Sequence, residues 1–263
     1  MSETLRISID QRGVAELRLA RPQKHNAISA DMIEELTTAA DRLGRDDRVR
    51  LVILRADGDS FCAGGDLGWM RAQFNAGRRE RMVEARRLAM MFKALNDLPK
   101  PLMARVHGNC FGGGIGLISV CDLAVAADTV RFGLTEVRLG LIPATISPFV
   151  VARIGTAAAR PLFLSGKTFD AAHAGAIGLV GCVVPAVDLD TAVEAEIEAF
   201  LAASPQAASR AKALVRSLET PISDAVIDAV VRQLADSWET PEAREGIDAF
   251  FGKRKPNWSL PES

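Results

Sequence analysis

The sequence predicts an α/β protein in which helices cover a mostly parallel sheet, followed by a helical C-terminal region. Three observations predict this. Strand and helix patterns alternate through the first half of the chain, as in βαβ units. From Ile146 onward the pattern is mainly helical. A composition shift near residue 185 separates a core, residues 1–185, from a helical region, residues 186–263. At 263 residues the chain is long enough for one substantial core.

Taken in order, Leu5 to Asp10 and Val14 to Leu19 alternate apolar and polar residues around the turn Gln11-Arg12-Gly13, a hairpin signal. Arg21 to Ala27 is a polar loop. Ser29 can cap a helix over 30–43, with Met32, Ile33, Leu36, Ala39 and Ala40 on one face. Val49 to Leu54 is a β-branched strand, and Ala56 to Gly65 reads as a loop with turn chemistry throughout. A helix begins after the glycines at Asp66. Another runs from Glu80 to Asn96, with Met82, Leu88, Met91, Phe92 and Leu95 as its buried face. Arg71, Arg78, Arg79, Arg81, Arg86 and Arg87 make this stretch basic, either a solvated helix face or a partner for an anionic ligand at the mouth of a site. Leu102 to Val106, Leu123 to Ala127 and Val130 to Gly133 are further strands, and three glycines open a buried helix between the first two. Helical segments follow near 147–154, 156–164, 170–175, 188–203, 205–218, 222–237 and 240–251, with an extended piece from Gly181 to Val184.

Composition narrows the function. A net charge of -1 argues against nucleic acid as the main partner, because neutralising phosphates needs a clustered excess of Lys and Arg. Cys62, Cys110, Cys121 and Cys182 lie inside apolar runs at no metal-ligand spacing, and read as reduced core residues. No apolar run reaches the roughly 20 residues that span a bilayer. The start Met1-Ser2-Glu3-Thr4-Leu5-Arg6 has no signal-peptide core. The expectation is a soluble cytoplasmic protein with no membrane partner. His25, His107 and His173 are scattered, so no metal site is expected, and His107 reads as a hydrogen-bonded turn histidine.

Several chemistries fail on spacing. Gly166-Lys167-Thr168 resembles the end of a P-loop, but Pro161 stands at the required first glycine. Glycines 112, 113, 114 and 116 do not meet the GxGxxG spacing, and the chain has no GxSxG elbow. What remains is a pair of glycine-rich turns that each open a helix, Phe61 to Leu67 and Gly112 to Gly114. The first N–H groups of a helix lack intrahelical partners and carry the positive end of its dipole. If the fold joins the two turns, two N–H groups could converge on one oxygen as an oxyanion hole. The alternative is that the glycines only permit close packing. Glu136 interrupts the apolar stretch from Phe132 to Pro143 and is the candidate acid or base, since burial would raise its pKa toward the working range. A surface turn or a helix N-terminal carboxylate is the competing reading.

Four landmarks occur together in one order: Arg21 to Ala27, Phe61 to Leu67, His107 to Asp122 and Phe132 to Pro143. With them the chain resembles the crotonase, or enoyl-CoA hydratase/isomerase, superfamily over residues 5–185. The tail from Ala249 to Pro256 is similar too. The resemblance implies an α/β crotonase-like spiral of ββα units with a helical C-terminal trimerisation module, assembled as a homotrimer or a dimer of trimers. It implies an acyl-CoA thioester as the bound molecule, with coenzyme A part of the substrate and no separate cofactor. Gly65 and Gly113 would donate their N–H groups to the thioester oxygen. Lys24, Ala27 and the segment Ala63, Gly64, Gly65, Asp66, Leu67 would border coenzyme A, with Lys24 near its phosphates and Lys253 of a neighbouring subunit reaching the nucleotide.

Hydratases of this family use two glutamates. Glu136 matches the one that exchanges a proton with the α-carbon, whereas Gly116 stands where the other belongs. A one-glutamate site resembles the family's Δ3,Δ2-enoyl-CoA isomerases. The wording of Gly112 to Asp122 and Glu136 to Val150 resembles bacterial methylglutaconyl-CoA hydratases of leucine or isoprenoid breakdown, which also tend to lack the first glutamate. The expected activity is hydration of a branched glutaconyl-type 2-enoyl-CoA, with the isomerase and a non-catalytic CoA-binding protein as alternatives. Pocket walls are expected from Trp69, Met70, the helix at 80–96 and Ile142 to Phe149.

Overall fold

A computed structural model describes residues 4–259; Met1 to Glu3, part of the N-terminal stretch read above, and residues 260–263 lie outside it. β1 (Leu5–Ile9) and β2 (Val14–Leu19) form the expected antiparallel hairpin, with Leu5 opposite Leu19. β2 then pairs in parallel with β3 (Leu51–Ala56), which continues the sheet through β5 (Leu102–Val106), β7 (Leu123–Ala127) and β10 (Cys182–Val184). The sheet is parallel apart from its first pair, and its buried strands read as near-continuous apolar runs, as strands covered on both faces do.

A second sheet explains the spiral. β4 (Ser60–Cys62), β6 (Asn109–Phe111) and β8 (Arg131–Gly133) pair in parallel, and β9 (Phe169–Asp170) closes the edge antiparallel to β8. From β3 onward, three successive turns of the chain therefore each place one strand in the large sheet, one in the small sheet, and then a helix. The expected loop from Ala56 to Gly65 is corrected here: it contains β4, whose three residues are too few to show a period. The strand expected at 49–54 begins two residues later, because Val49 N donates to Asp46 O in a turn.

α1 (Ala30–Arg45) starts where expected, with Ser29 Oγ accepting from Met32 N at 3.3 Å. α2 (Leu67–Asn75) and α3 (Arg78–Asn96) follow. On α3 the buried face is Ala85, Ala89, Met91, Phe92 and Leu95, while Met82 and Leu88 are half-buried. The reason is a later helix, α9 (Asp224–Trp238), whose Ile227 and Val231 pack on Ala85 and Ala89 and need small residues there. Three of the five arginines of α3 serve that docking, which corrects their reading as a simply solvated face, while Arg79 and Arg87 stay exposed. Arg78 pairs with Asp236, Arg81 with Glu239, and Arg86 with Asp224 and Asp228.

α4 (Gly113–Ser119) is short and its side chains are buried. α5 (Ser147–Ser165) is two helical pieces joined at Gly155, whose φ of 72° breaks the ladder between the two predicted segments. α6 (Ala171–Ala176), α7 (Leu189–Ala202), α8 (Pro205–Ser217) and α10 (Pro241–Phe251) complete the chain. Cys62, Cys110 and Cys121 are buried and Cys182, expected in the core, is half-buried on the edge strand β10. Among the described residues no helix is long and apolar enough to cross a membrane.

Candidate active site

The polar loop at residues 21–28 is the frame of the site. Asn26 is fully buried: Nδ2 donates to Asp57 O and Ser60 O, both at 2.8 Å, and Oδ1 accepts from Arg21 N at 2.9 Å. Satisfying both ends of that amide fixes the loop against β4. Ile28 then forms an isolated parallel bridge with Gly65, in which Ile28 N donates to Gly64 O at 2.7 Å and Asp66 N donates to Ile28 O at 2.9 Å. Those bonds use the groups on either side of Gly65, so its own N–H points away from Ile28. Among the described residues that N–H has no acceptor.

Asp66 caps α2, its Oδ1 accepting from Gly68 N at 2.8 Å and Trp69 N at 3.2 Å. Its Oδ2 takes the Arg21 guanidinium at 2.9 Å. Burial alone would raise this carboxyl, but the Trp69 N–H, Arg21 and the Gly68 N–H together hold it below the usual range. The second turn has no such cap. Gly112, at φ 48° and ψ -114°, donates its N–H to Gly133 O at 2.9 Å, and α4 starts at Gly113 with no side-chain acceptor. The Gly113 N–H likewise has no acceptor among the described residues.

The two turns touch through their backbones. A Cβ on Gly112 would lie 3.7 Å from Gly64 Cα and 2.9 Å from Glu136 Oε1, and one on Gly113 would lie 2.7 Å from Ile28 Cδ1. No side chain fits between these segments, and the close approach is what the glycine triplet permits.

Glu136 opens a 3-10 turn, Glu136–Leu139. The residue is half-buried, but its Oε2 is shielded from solvent and has no hydrogen-bond partner among the described residues. Burial pushes the carboxyl up from 4.5 to about 7, against a smaller lowering by its own backbone N–H. The turn is gripped from behind by α10. A Cβ at Gly246 would lie 2.4 Å from Leu139 O, and one at Gly140 the same distance from Glu242 O.

Gly65, Gly113 and Glu136 line one cavity of about 120 Å³. The expected walls Trp69, Met70, Leu88, Ile142 and Ile146 are there, and so are residues that sequence reading missed: Ile28, Gln73, Leu141, and Leu234 and Trp238 from α9. Nothing local marks the last two, since a distant helix brings them in. At Gly116 the space is taken: a Cβ would meet Ile146 Cγ2 at 2.5 Å and Phe92 Cε1 at 2.8 Å. A carboxylate there would need both to move.

Other candidate residues lie around the cavity. Ala27 is buried, with its N–H on Lys24 O at 3.0 Å; Lys24, Ala63 and Leu67 are exposed, and Gly64 is buried behind the bridge. His107 lies outside, its Nε2 donating to Gly58 O at 2.7 Å as a turn histidine does. The arrangement can stabilise a developing oxyanion with two backbone donors and move a proton with one carboxylate.

A model of the enoyl-CoA hydratase/isomerase family matches residues 10–261. Enoyl-CoA hydratase AKT6-1 of Alternaria alternata is 33% identical over 262 residues, covering 97% of this chain and 84% of that protein. An enoyl-CoA hydratase structure from Shewanella pealeana is 37% identical with a TM-score of 0.80, covering 97% of this chain and 96% of that one. The structure of Pseudomonas aeruginosa AtuE is also 37% identical at a TM-score of 0.80, covering 98% and 100%.

Proposed function

This chain belongs to the enoyl-CoA hydratase/isomerase family, and from that premise we propose that it adds water to a branched glutaconyl-type 2-enoyl-CoA such as 3-methylglutaconyl-CoA. The observation that carries the reading is the meeting of three groups in one cavity, none of them with a hydrogen-bond partner among the described residues: the Gly65 and Gly113 N–H groups and the enclosed Oε2 of Glu136.

The thioester oxygen accepts from both N–H groups. As the water oxygen bonds to the β-carbon, its proton passes to the Glu136 carboxylate. The double-bond electron pair moves through the α-carbon to the thioester oxygen, giving an enolate. Glu136 then returns the proton to the α-carbon and the carbonyl reforms. The sum is H and OH across the double bond, with Glu136 back in its starting state. Each oxyanion donor supplies roughly 3 kcal/mol in the transition state. A carboxyl near pH 7 suits both halves of the proton's journey. The branched glutaconyl assignment rests on the wording of Gly112 to Asp122 and Glu136 to Val150.

A second reading, Δ3,Δ2-enoyl-CoA isomerisation, is favoured by one observation: Ile146 and Phe92 fill the space beside Gly116 where a water-orienting glutamate would sit. Incubating the enzyme separately with 3-methylglutaconyl-CoA and a 3-enoyl-CoA separates the two. Formation of a 3-hydroxyacyl-CoA supports hydration; conjugation of the 3-enoyl ester with no hydroxy product overturns it.

A further inference from the structure

Beyond the reacting groups, the cavity is walled mainly by apolar side chains, and Gln73 and Arg81 depart from that character. Gln73 is buried, and its Oε1 has no partner among the described residues. Arg81 is only 14% exposed although it carries a full charge. Its Nε donates to Gln73 O at 2.8 Å, one terminal nitrogen to Phe74 O at 3.1 Å and the other to Glu239 at 2.9 Å. A guanidinium has five N–H donors. Three are used among the described residues, so each terminal nitrogen keeps one N–H for a further acceptor, and a carboxylate is the strong one.

Position strengthens the point. Arg81 and Trp238 also line an adjoining open hollow of about 570 Å³, whose other charged walls are Arg78, Arg244 and Glu239. Gly65, Gly113 and Glu136 do not line that hollow. Arg81 thus stands where the reaction cavity meets a region whose arginines, Arg78, Arg81 and Arg244, outnumber the acids paired with them, Asp236 and Glu239, by one. The acid, Glu239, is half exposed, and pairing across solvent adds little to stability.

We propose that Arg81, assisted by the Gln73 carboxamide turned to donate its N–H, receives the distal carboxylate of the glutaconyl-type acyl chain, and is thus the residue that sets the preference for such esters over uncharged ones. Glu239 pairs with the same guanidinium and so offsets part of the charge that receives the acyl carboxylate. The inference rests on the hydratase reading for the chemistry, but not for the binding. It makes the basic stretch of α3 two things at once: a docking strip for α9 and, at one residue, a reader of the substrate.

The test measures kcat/KM for 3-methylglutaconyl-CoA and for 3-methylcrotonyl-CoA, which lacks the second carboxylate, and follows their ratio. In Arg81→Met the ratio should fall on the order of tenfold or more, with partial recovery in Arg81→Lys. In Glu239→Gln, which removes the competing carboxylate and leaves Arg81 in place, the ratio should rise. Equal losses on both esters in Arg81→Met, or an unchanged ratio in Glu239→Gln, would overturn the proposal. Calorimetric binding of both esters to Glu136→Gln keeps the two readings apart. Carboxylate-selective binding without hydration by the wild type overturns the hydratase reading alone, a wild-type carboxylate preference that Arg81→Met leaves unchanged overturns this one alone, and hydration with no carboxylate preference overturns this one together with the glutaconyl assignment.

Discussion

The two glycine turns reach the same result by opposite routes. At the first, after β4, the helix start is fully capped: Asp66 takes the Gly68 and Trp69 N–H groups and is itself held by Arg21. The donor is spared because the bridge to Ile28 occupies the groups on either side of Gly65. At the second, after β6, nothing caps α4, and the donor is the first helical N–H itself. The first turn therefore depends on polar side chains and the second on empty space. A Cβ at Gly65 would meet only ordinary contacts, 3.5 Å from Met70 Cγ, whereas one at Gly112 would strain a backbone at φ 48° and strike the Glu136 carboxylate.

That contrast can be sharpened or broken by measurement. The largest effect is expected where the turns converge: Glu136→Gln should lower kcat about 1,000-fold with acyl-CoA binding nearly intact, read by turnover and by calorimetry. Wild-type turnover in that variant removes Glu136 from the mechanism. Next, Gly112→Ala should cost on the order of 100-fold in kcat/KM, by displacing the carboxylate and the neighbouring donor, while Gly65→Ala costs less than about tenfold. Equal losses would mean that both turns depend on close approach.

The pH profile should give a smaller effect. The proposed cycle starts from the Glu136 carboxylate, so kcat/KM should fall about tenfold per pH unit below about 7 and level off above it. Stability runs the other way. Because folding raises this carboxyl from 4.5 to about 7, the folded state holds the extra proton between those values, and stability falls as pH rises through that window. Glu136→Gln should accordingly raise Tm more at pH 8 than at pH 4.5, which thermal melts at both values will show. Smallest is the cap: Asp66→Ala should destabilise by about 1 kcal/mol, seen as a lower denaturation midpoint, whereas no side-chain cap exists at the second turn to lose.

Local signals made much of this legible in the sequence. Ser29 and Asp66 announce helix starts because a cap is a contact between residues two or three apart. Glu136 stands out because a carboxylate within an apolar stretch is costly unless it is used. Gly155 divides two helical patterns where the backbone breaks. What stayed hidden depends on distance along the chain. β4 and β6 are three residues each, visible only as rungs of a sheet. Leu234 and Trp238 reach the cavity because α9 folds back over α3, and the alanines that allow it look like any helix interior. Arg81 was one of six arginines until the packing gave it a different neighbour from the rest.

The grip of α10 on the Glu136 turn also has a consequence in time. A chain is made from its N-terminus, and its early parts begin to fold first. The sheets and both glycine turns are complete in residues made well before Gly246, yet the turn at Glu136–Leu139 has its closest backbone approach in that last helix. A chain that ends before Pro241 keeps the residues of the glycine cradle but lacks the helix that holds the carboxylate's turn, so it should show no turnover.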